Sequence, residues 1–256
     1  MPGSVHCTFN NDAAWGVLPF PAFIPQGDTI YIWHGVTTEL LHLYNDCSTL
    51  LSTDEQTRAN RYTQIDDRQR YVVQHGLLRV LLGWYLKTAV FNGVYRQGHN
   101  GKPYLPDDYI PPCFFNLSSS AGEFLIAIGD AKLGVDIEYL QPGFTYQDVA
   151  PQYFGPSEQD FITRSVNPVE AFFLLWTRKE ALLKATGKGV DDDRLLIPPL
   201  NGKHALPDDD DNTDWLTQSF KAGSNSIMSV TYPHAMALQL RHLDAGMILQ
   251  DINAIE

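Results

Sequence analysis

Four residues in two short stretches have the types and spacing to do chemistry. In LGVDIEYL, Leu133 to Leu140, Asp136 and Glu138 stand two apart in an apolar run. In WTRKEALLKATGKG, Trp176 to Gly189, Glu180 and Lys184 stand four apart. Two apart on a strand is one face, with backbones roughly 6.5–7 Å apart, so both carboxylates can lean on one ion. Phe173, Trp176, Glu180 and Leu183 follow helical spacing, so Glu180 interrupts an apolar stripe, where a carboxylate is expensive to desolvate unless something pairs with it. Lys184, one turn on, is one possible partner; a divalent cation shared with Asp136 and Glu138 is another. Hard oxygen donors with no His or Cys among them suit Mg²⁺, which keeps waters and completes its shell with substrate phosphates. The set points to metal-assisted chemistry on a phosphate ester or anhydride and does not separate hydrolysis from transfer. Taken singly, each feature reads as surface: a half-exposed strand, and a Glu–Lys helix pair worth about 0.3–0.5 kcal/mol.

The elements that must position these residues follow from pattern. TIYIWHGV, Thr29 to Val36, predicts a strand. Ser52 with Glu55 three residues on predicts a capping-box helix start, and a long helix follows across DRQRYVVQHGLLRVLLGWYL. Val73, Leu77, Val80, Leu81 and Trp84 make its apolar stripe, with Arg70 and Arg79 off it. HNGKPYLPDD is turn-rich; CFFNLSSSAGE comes next. FLIAIG, the polar DAK and LGVDIEYL predict a hairpin. Asn167 as cap, Pro168 at the first helical position, Glu170 and the stop at Gly187 bound the helix that carries Glu180 and Lys184. PDDDDNTDW reads as a solvated acidic loop, and NSIMSVTYPHAMALQLRHL as two more strands. This order suggests an α+β fold of two similar halves, 1–130 and 131–256, with the metal residues in the second.

Composition narrows the partners. The chain of 256 residues carries a formal net charge of −12 with only 18 Lys and Arg, a poor match for nucleic acid or an anionic membrane. Cys7, Cys47 and Cys113 are dispersed, with neither metal spacing nor a disulfide framework. The N-terminal stretch has no signal-peptide pattern, and no apolar run approaches the length of a membrane span. The expectation is a cytoplasmic protein.

With these residues in hand, the chain resembles the Sfp-type 4′-phosphopantetheinyl transferases. Their paired signature is a Gly-hydrophobic-Asp-x-Glu strand followed by an aromatic-x-x-Lys-Glu-x-x-x-Lys helix. Here GVDIE is followed by WTRKEALLK, with Glu180 lying 44 positions after Asp136 (180 − 136). GKPYLP is similar to the family's Gly-Lys-Pro turn, and FNLSSS stands where the family has Phe-Asn-hydrophobic-Ser-His-Ser. The likeness spans roughly residues 50–190. The resemblance implies a monomeric pseudo-dimer, each half a small antiparallel sheet on a long helix, with the active site between the halves. It implies transfer of the phosphopantetheine arm of coenzyme A to a serine of an apo acyl or peptidyl carrier protein, releasing 3′,5′-ADP, in fatty-acid, polyketide or other secondary metabolism. Carried over, Asp136, Glu138 and Glu180 would hold Mg²⁺, Glu180 would act as general base and Lys184 would steady phosphate charge. Arg58, Arg79, the Lys102–Pro103 turn and Ser118 would hold coenzyme A, with Ser119 beside them.

Ser119 departs from the pattern, because it replaces a histidine that can carry charge by a neutral hydroxyl. Two alternatives stay open: a non-catalytic coenzyme A- or carrier-protein-binding paralogue, and a Mg²⁺-dependent phosphohydrolase acting on coenzyme A.

Overall fold

The helix start at Ser52 forms as its spacing requires. In the computed structural model the Ser52 hydroxyl accepts from the Glu55 N–H, and Glu55 reaches back to the Ser52 N–H at 2.8 Å. The structure describes residues 3–10, 14–16, 25–98, 100–106, 109, 112–188, 197–206, 212–222 and 225–243. Its helices are α1 (Tyr44–Leu50), α2 (Thr53–Ala59), α3 (Ile65–Tyr85), α4 (Ala150–Tyr153), α5 (Pro156–Arg164) and α6 (Pro168–Thr186). Its strands are β1 (Gly3–Phe9), β2 (Thr29–Val36), β3 (Arg96–Gln97), β4 (Pro103–Tyr104), β5 (Phe114–Ser120), β6 (Glu123–Gly129), β7 (Gly134–Tyr139), β8 (Gly202–Leu206), β9 (Asp214–Ala222), β10 (Ser226–Pro233) and β11 (Ala237–His242). The class is α+β.

Two sheets organise these strands. One has the order β11-β2-β6-β5 and the other β7-β10-β9-β1-β8; β3 and β4 form a small separate ribbon. Alternation along β2 shows how they stack. Tyr31 and Trp33 join the core under α3, while Ile30 and Ile32 join Val135, Ile137, Met228 and Val230 between the sheets. The layers therefore run α3, first sheet, second sheet, α6. Central strands buried on both faces explain why β2 lacks an exposed polar side.

Three features differ from the sequence expectation. First, β6 and β7 do not form a hairpin: β6 pairs with β2 and β5, and β7 pairs with β10. The four residues between them carry the chain from one sheet to the other. The hairpin is β5–β6, closed at Ala121 and Gly122, both at positive φ as a two-residue turn of this hand demands. Second, Arg79 is not on a polar face. It is 2% exposed, because α3 is enclosed on nearly all sides. Third, the ends of the chain are exchanged. β1 lies parallel to β9 in the second sheet, and β11 lies parallel to β2 in the first, so the sheets and the two sequence halves do not coincide. The acidic loop lies mostly outside the described residues. Among the described residues no helix is long and apolar enough to cross a membrane.

Candidate active site

Helix α6 is fixed before it presents any functional group. Asn167 caps it through the Glu170 N–H, Pro168 occupies its first turn, and Gly187 ends it at φ 75, a left-handed conformation that suits glycine. The sheet-facing side is polar but fully engaged. Arg178 donates to Ser219 Oγ, Pro199 O and Asn201 Oδ1 at 2.7–2.8 Å, and Thr177 shares a hydrogen bond with Ser229. Lys179 pairs with Glu158 of α5 at 3.0 Å. These contacts set the rotation of α6, and with it the direction of Glu180 and Lys184.

Gly134 lets β7 approach that helix. A Cβ there would lie 2.2 Å from Ala181 O and 2.5 Å from Ala185 N, so only glycine admits this spacing. The approach brings Lys184 Nζ to 2.6 Å from Asp136 Oδ1, 3.1 Å from Val135 O and 3.2 Å from Ser118 Oγ.

On its other side β7 meets β5 through side chains rather than a backbone ladder. Asn116, Ser118 and Ser120 lie two apart on one face of β5. Asn116 Oδ1 accepts from the Val135 N–H, and Ser118 Oγ donates to Asp136 Oδ1 at 2.9 Å. Ser120 Oγ donates to Glu138 Oε2 at 2.9 Å and accepts from the Tyr139 N–H. The carboxylates thus sit at the seam between the two sheets.

The seam carries surplus negative charge. Asp136 is 5% exposed, and its Oδ2 is buried with no hydrogen-bond partner among the described residues. Burial pushes its carboxyl above the ordinary range, and Lys184 and Ser118 oppose this only in part. Glu138 is pushed up to about 6 by burial first, then by the charges of Asp136 and Glu180, against the Ser120 hydrogen bond and Lys184. Glu180 is half-buried and near enough for its charge to act on Glu138. Among the described residues no three His, Cys, Asp or Glu side chains form a ready-made metal cage. An unpartnered buried carboxylate oxygen beside two further carboxylates is nonetheless a donor set that suits a hard divalent cation.

A cavity of about 710 Å³ opens nearby, within the size range of small-molecule sites. Arg58, Arg61, Tyr71, His75, Gly101 and Pro103 are among its walls. Arg58 lies over the Tyr71 ring at 5.5 Å. Between Gly101 and Pro103, Lys102 turns away from the cavity and donates to Leu133 O and Lys184 O, the second of these on α6. Burial, then Lys184 and Lys132, lower its amine to about 8. Lys102 and its neighbours Gly101 and Pro103 therefore link the cavity to the carboxylate seam.

The residues singled out in the sequence fall into three groups. Asp136, Glu138, Lys184 and Ser118 meet at the seam, with Glu180 in electrostatic range. Arg58 and Pro103 line the cavity. Arg79 meets neither place: its Nε donates to Glu55 at 2.6 Å, and its Nη1 to Phe91 O and Gly93 O. With these donors directed at protein acceptors, Arg79 braces α3 from within and does not line the cavity. Ser119 is exposed and projects from β5 on the face opposite Ser118. Pattern reading missed Asn116, Ser120, Arg61 and His75; the first two were announced by polar residues at every second position of FNLSSS.

Comparison with known proteins supplies an independent line. The 4′-phosphopantetheinyl transferase superfamily profile matches residues 132–231. The chain is 34% identical over 168 residues to the 4′-phosphopantetheinyl transferase HetI of Nostoc sp., covering 64% of this chain and 70% of that protein. It is 34% identical over 176 residues to a putative 4′-phosphopantetheinyl transferase of Synechocystis sp., covering 66% and 72%. With the 4′-phosphopantetheinyl transferase Sfp of Bacillus subtilis, identity is 25% over 142 residues, covering 55% and 62%.

Proposed function

The chain belongs to the 4′-phosphopantetheinyl transferase superfamily, and from that premise we propose that it transfers the phosphopantetheine arm of coenzyme A to a serine of an acyl or peptidyl carrier protein. The observation that carries this reading is the seam: a buried Asp136 with one oxygen on Lys184 and the other without a hydrogen-bond partner among the described residues, next to Glu138 and Glu180. In the reaction the serine Oγ bonds to the phosphorus of the pantetheine phosphate, the pyrophosphate P–O bond breaks, and 3′,5′-ADP departs with the bond's electrons. Glu180 takes the hydroxyl proton, directly or through water. Lys184 Nζ steadies the charge that grows on the phosphate oxygens.

Asp136, Glu138 and Glu180 would hold Mg²⁺. A bound Mg²⁺ would offset their mutual repulsion and polarise the phosphate oxygens. Arg58, Pro103 and the cavity they line would take the nucleotide end of coenzyme A, and Lys102 would set the distance between that cavity and α6. We read the enzyme as a cytoplasmic monomer with two α+β halves divided near residue 130, each lending one end strand to the other's sheet.

The test is transfer of a labelled arm from coenzyme A to purified apo carrier proteins with and without Mg²⁺. A covalently labelled carrier, absent when its acceptor serine is replaced by alanine, is expected. Release of free phosphopantetheine without a carrier would instead favour hydrolysis.

A further inference from the structure

The cavity wall holds an imidazole to which the transfer reading gives no task, and a carboxylate that flanks it. Glu55 is fixed twice through Oε2, which accepts from the Ser52 N–H at 2.8 Å and from Arg79 Nε at 2.6 Å. Its Oε1 is buried and faces His75 Nδ1 at 3.6 Å, and neither atom has a hydrogen-bond partner among the described residues. The His75 ring stacks on Tyr71 at 4.0 Å between centroids. A carboxylate on the Nδ1 side and an aromatic face against the ring leave Nε2 to the cavity.

The charges around this ring are mixed. From α2 and the residues after it come Asp54, Glu55, Arg58 and Arg61, with the Tyr62 phenol. Tyr71 lies on the same helix as His75, Tyr95 approaches from across the cavity, and Arg79 lies behind Glu55. Glu55 is held down to about 2: burial alone would raise it, but His75, the Ser52 N–H and Arg79 outweigh that. It stays a carboxylate over the whole range in which imidazoles titrate.

Strand β5 supplies the complementary half. Ser119 lies on the face that bears Phe115, whose ring packs 5.2 Å from the cavity residue Tyr95. Ser119 offers a neutral hydroxyl there, while an imidazole flanked by a carboxylate stands on α3 in the adjoining wall. We propose that His75, flanked by Glu55, is a cation that recognises the 3′-phosphate of coenzyme A, beside Arg58 and Arg61 in the same cavity wall. This rests on the transfer reading, which puts the pyrophosphate at Lys184 and Asp136. Gly101, Lys102 and Pro103 separate that point from the cavity, so the cavity receives the far, ribose-phosphate end.

The experiment measures binding of coenzyme A and of 3′-dephospho-coenzyme A to the full chain at pH 6 and pH 8, for wild type, His75→Gln and His75→Lys. The 3′-phosphate itself gains charge across this range, so the readout is the ratio of wild-type to variant affinity at each pH. At pH 6 wild type should bind coenzyme A about tenfold more tightly than His75→Gln, the size of a charge-assisted hydrogen bond. At pH 8 the ratio should fall toward one. His75→Lys should retain the tight binding at both pH values, and none of the three should differ for the dephospho compound. A merely structural histidine would shift both cofactors alike. Equal coenzyme A affinity of wild type and folded His75→Gln at pH 6 would overturn the assignment of His75 while leaving the transfer reading intact. Failure of wild type to bind either cofactor would remove both.

Discussion

Arg79 on α3 and Lys184 on α6 each meet a buried carboxylate at 2.6 Å, Glu55 and Asp136, but the charge around the two pairs differs. Around Arg79, Glu55 Oε2 accepts two hydrogen bonds, its Oε1 faces His75, and the guanidinium also donates to Phe91 O and Gly93 O. Around Lys184 the acids outnumber the bases, and among the described residues Asp136 Oδ2, like Glu55 Oε1, is buried without a hydrogen-bond partner. The carboxyl shifts follow. Glu55 falls to about 2, whereas Glu138 rises to about 6. An ion pair in balanced surroundings braces a fold; one among surplus acids in a seam is poised for something that arrives later.

The largest effect should come from breaking the Arg79–Glu55 pair. Arg79→Ala leaves Glu55 buried and uncompensated, at an expected cost of about 3–5 kcal/mol, read from denaturant melts. The fraction that remains folded should lose far less coenzyme A affinity than His75→Gln does, because Arg79 does not line the cavity and reaches His75 only through Glu55. A coenzyme A affinity reduced more than tenfold in folded protein would return Arg79 to the binding site and collapse the contrast.

Asp136→Ala should do the opposite. Transfer to a carrier protein is expected to fall by about 10²–10³-fold, the scale of losing one electrostatic anchor of a phosphoryl transition state. The melting temperature without metal should stay within a few degrees of wild type, since one of several crowded acids is gone. Near-normal turnover at limiting Mg²⁺ would show that the seam is not the metal site. Gly134→Ala sits between the two. Its Cβ would press on the Ala181 carbonyl, so stability and transfer should drop together as β7 moves off α6.

The opposed acid shifts give a pH test with opposite signs. Glu55 has a folded value below its ordinary 4.5. It stabilises the fold above pH 4.5, and that contribution fades as pH falls toward 2. Glu138 has a folded value above 4.5, so the metal-free protein gains stability as pH falls through about 6 toward 4.5. In chelator, Glu138→Gln should raise the melting temperature at pH 8 and lose that advantage by pH 4.5. Glu55→Gln should lower it at pH 7, by an amount that narrows toward pH 3. Parallel pH profiles for the two variants would mean that the carboxylates do not occupy opposed environments.

How much of this was legible depended on range. The capping box at Ser52 and Glu55, strand β2, and the bounds of α6 from Asn167 to Gly187 were local matters of spacing and cap chemistry, and they appear as read. The Asp136–Glu138 pair was legible as same-face residues for the same reason. Arg79 was not, because whether a helix has one buried face or is enclosed depends on what the rest of the chain lays over it. The supposed β6–β7 hairpin failed similarly. DAK could close a hairpin or carry the chain between sheets, and only the pairing of β7 with β10 decides. Strand β1 escaped notice because its partners β8 and β9 lie some two hundred residues away. His75 reads as one more helix residue until Glu55 and Tyr71 are seen to hold it.

Strand β5 is the wall between the two regions, and its adjacent serines give the finest cut. Ser118 points to the seam, where its hydroxyl bonds Asp136 and Lys184; Ser119 points the other way and is exposed. Ser118→Ala should remove one hydrogen bond from an already burdened carboxylate, and transfer should fall several-fold with coenzyme A affinity nearly unchanged, in keeping with about 1 kcal/mol for a neutral donor. Ser119→Ala should do little to either. Ser119→His should tighten coenzyme A binding by a few-fold at pH 6 and not at pH 8, because only a protonated ring adds charge toward a phosphate. The gain should be smaller than the loss on removing His75, since the wild-type cavity already holds a cation. The comparison that checks this is coenzyme A affinity in the two Ser119 variants at both pH values. A Ser119→His protein that lost transfer instead of gaining affinity would mean that residue 119 reaches the seam, and that β5 does not divide the site in the way its alternation implies.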